Sequence, residues 1–144
     1  MIVPGPRQFT KVSRTTVTFD GSAGLGAAGT AVPVFTVTGE VVIDEIHAYC
    51  TTNLTEATPT ATISLGVVGS VALFIAATNS VELDANEFWV DTAPDANGVA
   101  IPAALKGIVV TDNVIVTPAT QDTDAGVIEF TIYWHAISVD GNVS

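Results

Sequence analysis

The chain has 144 residues, enough for one domain that buries about 70% of its unfolded surface and needs no metal or disulfide to hold it together. Four Lys and Arg stand against 15 Asp and Glu, a net charge of −11 with a pI near 4.1, which argues against nucleic acid and anionic membranes as partners. Cys50 is alone, so no internal bridge forms, and a charged content of 13% with mean hydropathy +0.50 implies apolar surface packed against other subunits.

The charge is segregated. Arg7, Lys11 and Arg14 fall within the first 14 residues, where there is no acid, and the other 130 carry every Asp and Glu against Lys106. The arm is therefore +3 and the body −14. Pro4-Gly5-Pro6 favours an extended, unpaired run, so residues 1–14 are expected to form a basic N-terminal arm and 15–144 one β-sandwich domain. Met1 to Pro6 lacks the basic and apolar regions of a secretory signal.

Strands follow one another from there. Thr15 to Phe19 alternates, with Val17 and Phe19 on one face. Ala31 to Thr38 alternates likewise, although Pro33 demotes its first half to an edge. Val41 to Cys50 fits either a helix or a strand. Its β-branched content favours a strand, bulged at Asp44 and Glu45. Ala57 to Val81 is uncharged and long enough to suggest a membrane span, but Pro59, the Thr and Ser residues and the Gly66 and Gly69 pair divide it into two strands. Ala61 to Val67 alternates strictly. Val71 to Ala76 is a continuous apolar run, expected to be buried on both faces.

Glu87 to Asp91 and Asn113 to Thr117 are short strands, with a single helical turn between them from Pro102 to Lys106, stopped by Gly107. The last strand is the clearest: Ile128, Phe130, Ile132 and Trp134 point one way, and Glu129, Thr131, Tyr133 and His135 the other. About eight such strands imply an all-β fold, an antiparallel β-sandwich of jelly-roll type carrying an extended N-terminal arm.

The chemistry-bearing motifs are weak. Gly24-Leu25-Gly26-Ala27-Ala28-Gly29 matches GxGxxG, but a strand pattern follows where a dinucleotide site needs a helix. His47 and His135 would approach each other if their strands paired, yet neither has a zinc-ligand spacing and no third ligand is evident. Asp122, Asp124 and Gly126 resemble the start of a calcium loop without its closing glutamate, and an ordinary turn explains them. No GxSxG elbow appears. No cofactor or metal is expected, and no enzymatic activity. Trp134 shares its face with the core, whereas Trp89 is the better candidate for exposure, as an oligomer contact or a sugar-stacking residue.

Several segments together resemble small β-sandwich virion proteins of tailed bacteriophages. They are Phe19-Asp20-Gly21-Ser22-Ala23-Gly24-Leu25-Gly26, Ala31 to Glu40, Ala48-Tyr49-Cys50-Thr51-Thr52, Ala61 to Val67, Glu87-Phe88-Trp89-Val90-Asp91, and the Trp134 strand with Ser138 to Val143. The resemblance implies a non-enzymatic protein that decorates or cements the capsid exterior, after assembly in the host cytoplasm. Its implied partners are the major capsid protein and further copies of itself, as a homotrimer, with no nucleic acid and no membrane. On this reading Arg7, Phe9, Lys11, Val12 and Arg14 make the capsid or inter-subunit contacts. The alternative is a tail, collar or fibre component that binds a host glycan through Trp89.

Overall fold

A computed structural model describes residues 10–144, and Arg7 and Phe9 of the expected arm lie outside the described residues. The architecture is an antiparallel β-sandwich. One sheet has the order β1-β10-β4-β7, with β8 also pairing β4, and the other has the order β2-β9-β5-β6. The elements are β1 (Lys11–Phe19), β2 (Val32–Phe35), β3 (Val37–Thr38), β4 (Val41–Thr55), β5 (Thr62–Val67), β6 (Ser70–Asn79), β7 (Glu87–Trp89), β8 (Lys106–Val110), β9 (Val114–Ala119), β10 (Ala125–Ala136) and β11 (Asn142–Val143). The short β3 and β11 form a two-stranded ribbon that ties down the C-terminus.

Period-two patterning builds the core. Ile128, Phe130, Ile132 and Trp134 of β10 point between the sheets and are buried, as are Val17 and Phe19 of β1 and Ile43, Ile46, Ala48 and Cys50 of β4. They meet Val32, Ile63, Leu65, Ile75, Val114 and Val116 from the second sheet in one continuous cluster. β4 is a strand, and it is bulged where expected. Tyr133 pairs with Glu45 and Trp134 with Ile43, so Asp44 is the extra residue. Such an insertion leaves one residue unpaired, bends the strand locally and re-aims a side chain.

Four expectations are corrected. The arm does not stay unpaired to Arg14: β1 begins at Lys11, and Lys11, Val12 and Arg14 pair with Trp134, Tyr133 and Thr131 of β10. The apolar run Val71 to Ala76 lies in β6, an edge strand, with Val71 and Ala76 exposed. The helical turn is shorter than expected, a 3-10 turn over Ala103–Leu105, and Gly107 is the second residue of β8 rather than a stop. Trp89, expected at the surface, is fully buried.

That last reversal has a direct cause. Ala48 is the register partner of Trp89, and Ala48 faces the core. The indole therefore enters the sandwich, stands edge-on to Phe130 (centroids 6.4 Å, 70° between planes) and donates its Nε1–H to Thr78 Oγ1 at 3.0 Å. Because Thr78 belongs to β6, this bond joins the two sheets. Gly66 serves the second sheet: a Cβ there would collide with the backbone of Ser70 and Val71, so glycine lets β6 fold back closely on β5.

Candidate interaction surface

The outer face of the five-stranded sheet gathers the chain's polar aromatics and two of its cations. Register places Val12, Tyr133, Glu45 and Lys106 in one row across β1, β10, β4 and β8, then Arg14, Thr131 and His47, then Thr16, Glu129, Tyr49 and Phe88. Tyr133 packs on His47 with ring centroids 5.9 Å apart, and Tyr49 packs on Phe88 at 5.1 Å. The Tyr49 hydroxyl donates to Asn86 Oδ1 at 3.2 Å. Tyrosine, phenylalanine and arginine are the residue types enriched at protein interfaces.

Beside this aromatic strip lies an open groove of about 240 Å³, lined by Glu45, His47, Phe88, Val90, Gly98, Val99 and Ile101. Its floor comes from β4, its wall from β7 and the segment after it, and one carboxylate and one imidazole stand among apolar side chains. A second groove, about 580 Å³, runs along β1 past Thr15, Thr16, Thr18, Leu25 and Pro33 and is lined, among the described residues, by no titratable side chain. The first groove is mostly apolar, and its one carboxylate, Glu45, stands opposite Lys106 of β8. Among the described residues, neither holds a nucleophile paired with a base.

At the corner where β1 begins, the Asp44 bulge gathers polar groups. Asp44 Oδ2 lies 2.9 Å from His135 Nδ1 and accepts the Thr10 hydroxyl at 3.3 Å. Lys11 Nζ sits 5.1 Å from the centroid of the Trp134 ring, a cation–π contact. The Trp134 indole donates to Ser13 Oγ (3.0 Å), which in turn donates to the Val143 carbonyl (3.1 Å). Of the expected contact residues, Val12 and Arg14 share the outer face of β1, whereas Lys11 turns to the other side, over the Trp134 ring.

The other motifs resolve into structural roles. The histidine strands do pair, but His47 faces Thr131 and His135 faces Val42, so the imidazoles do not meet. Among the described residues no group of three His, Cys, Asp or Glu is set to hold a metal. Asp122 accepts the Ala28 amide and Asp124 the Ala57 amide, both through carboxylate oxygens, so these two acids staple neighbouring loops. The Asp20 carboxyl is held below its usual range by the Ser22 hydroxyl and amide, and the glycines from Gly24 to Gly29 form turns between β1 and β2.

Cys50 is buried, its thiol donating to the Thr52 carbonyl, and burial pushes its pKa up to about 11. The native protein is expected to resist thiol alkylation at pH 8 and to react once unfolded, which mass spectrometry reads directly. The unfolded thiol ionises near its ordinary pKa while the folded one keeps its proton. Stability is therefore unaffected below about pH 8 and falls between roughly pH 9 and 11.

Phe88, Tyr49, Val99 and Ile101 escaped the sequence reading as a group. The available signal was the outward face of β4 and β10, where Tyr and His stand in place of Lys and Glu.

No protein-family profile matches the chain, and no curated protein is similar to it. Among solved structures, a chain of the cyanophage Pam1 capsid asymmetric unit is similar in fold, with a TM-score of 0.55 and 20% identity. The similarity covers 94% of this chain and 91% of that chain.

Proposed function

We propose that the chain is a structural protein of a phage virion, which decorates and cements the capsid exterior as a homotrimer and bridges neighbouring capsid subunits through its N-terminal segment. The observation that carries this reading is the fold likeness to a chain from a phage capsid, which extends over nearly the whole length of both chains. The strand orders β1-β10-β4-β7 and β2-β9-β5-β6 favour jelly-roll connectivity, an architecture common in capsid proteins. The role is mechanical rather than catalytic.

The physical features fit a clamp. Val12, Phe88, Val109 and Ile137 are large apolar side chains left between 36% and 60% exposed, as a protein that completes its surface in an assembly would leave them. Arg7, Lys11 and Arg14 supply cations against acidic neighbours, although each exposed ion pair is worth only about 0–1 kcal/mol. Phe9 and Val12 add the larger share by burying apolar area, roughly 1.5–3 kcal/mol per side chain. Symmetry then multiplies a modest single contact into firm attachment.

The test is copy number, by quantitative densitometry of purified virions scaled to the major capsid protein. Abundance comparable to the capsid protein is the expected result. A few copies per particle would move the chain to the tail or collar, and absence from the particle would end the virion reading.

A further inference from the structure

We propose that the outer face of the five-stranded sheet packs against the same face of a second copy, about a two-fold axis running along the strands between β10 and β4. The inference goes beyond the reading above, since such a contact joins two single copies or two trimers equally well.

Charge picks the face. The described residues include all 15 acids and three of the four cations. The rows of this face carry Arg14 and Lys106 against Asp44, Glu45, Glu129 and, at the rim beside Phe88, Asp95. The other 11 acids fall outside these rows, where Lys11 is the one described cation. Two copies of so acidic a chain repel wherever acid meets acid, and a contact between identical patches needs both signs on one patch. Among the described residues this face has them. It also bears the exposed side chains of Val12, Phe88 and Val109, next to half-buried Tyr49 and Tyr133.

Register sets the pairing. Rotation about that axis exchanges β10 with β4 at the same level along the strands. Glu45 of one copy then faces Tyr133 of the other, His47 faces Thr131, and Tyr49 faces Glu129. Carboxylates meet phenols, and no acid meets an acid. A two-fold laid across the strands through the Arg14 row would instead set each Arg14 against the other. The area is sufficient. β4 runs about 30 Å from Val42 to Thr51, and four strands about 4.8 Å apart give about 15–20 Å of width. Side-chain relief on that footprint of about 500 Å² brings the buried area near the roughly 800 Å² per partner of a stable dimer.

Sedimentation of the full chain is expected to show an even-numbered assembly. Thr131→Glu is expected to halve its mass, weakening the contact by about 100-fold or more, because it buries like charges beside the axis. Val71→Glu, on the exposed part of β6 in the other sheet, is expected to leave the assembly intact. Single cysteines then locate the axis, with Cys50 buried and silent. Thr131 lies about 5 Å sideways from its counterpart and Arg14, in the same row, about 15 Å. A short bis-maleimide is therefore expected to give a covalent dimer with Thr131→Cys and not with Arg14→Cys. A monomeric or trimeric wild type overturns the proposal, as does a Thr131→Glu variant that melts normally and keeps the wild-type mass. A dimer from Arg14→Cys, or none from Thr131→Cys, overturns the axis. A protein that passes these tests but is absent from virions keeps the face and loses only the capsid role, so the two failures are distinguishable.

Discussion

Trp89→Ala is expected to destabilise the protein by about 3–5 kcal/mol, while Phe88→Ala, one residue away, costs less than about 1 kcal/mol. Trp89 is fully buried between the sheets, touches Phe130 edge-on and holds Thr78 across the sandwich. Truncation leaves a cavity lined by both sheets and removes the one hydrogen bond that Thr78 Oγ1 accepts from the facing strand. A loss of this size is a large fraction of the roughly 5–15 kcal/mol that holds a domain together. It lowers the melting midpoint by about 10 °C or more. Trp89→Phe separates the two terms, because it keeps most of the volume and loses only the bond, about 1 kcal/mol. Circular dichroism melts of the three variants decide it. Equal midpoints for Trp89→Ala and Phe88→Ala would mean that the indole is not the link between the sheets.

The same pair shows where the sequence stops informing. β10 was legible because eight residues of strict alternation, Ile128 to His135, leave a single way to face a core. The Asp44 bulge was legible because two competing periodicities crossed in one β-branched segment. β7 has only three residues, too few for alternation to choose a face, and the choice falls to its register with Ala48. β6 misled for a different reason: Val71 to Ala76 is as apolar as a central strand, and edge position is a property of sheet order, which local pattern does not encode. The histidines repeat the lesson. β4 does pair with β10, but a register that sets His47 against Thr131 and His135 against Val42 separates the rings.

The interaction surface was half visible for related reasons. Lys11, Val12 and Arg14 drew notice by charge and position; Val12 and Arg14 lie on the outer face of β1, and Lys11 lies over the Trp134 ring on the other side. Phe88, Val99 and Ile101 are ordinary apolar residues until the segment after β7 folds beside β4. Only then do they become a groove wall with a carboxylate at its floor. Non-local assembly of this kind has no signature in a single sequence.

Deleting residues 1–9 is expected to leave the fold intact and to weaken attachment to capsid shells at least 100-fold. Deleting residues 1–14 is expected to damage the fold itself. The boundary follows from β1, which begins at Lys11. Cutting at 14 removes Lys11 to Arg14 from the ladder with β10, takes away the Ser13 hydroxyl that serves both Trp134 and Val143, and strips the Lys11 cation from the Trp134 ring. Each lost or unpaired hydrogen bond costs about 1–3 kcal/mol where it is buried, so the sum is on the order of 3–6 kcal/mol. Cutting at 9 removes none of these contacts. What it removes is Ile2, Val3, Arg7 and Phe9, and two apolar anchors at roughly 1.5–3 kcal/mol each already amount to more than 100-fold in affinity. Thermal melts and shell-binding sedimentation on the same two truncations separate the roles. A shortened chain lacking 1–9 that melts as low as the longer deletion makes the segment part of the fold. One that melts normally and still binds shells fully shifts the clamp to the exposed face of β1, where Val12 and Arg14 remain.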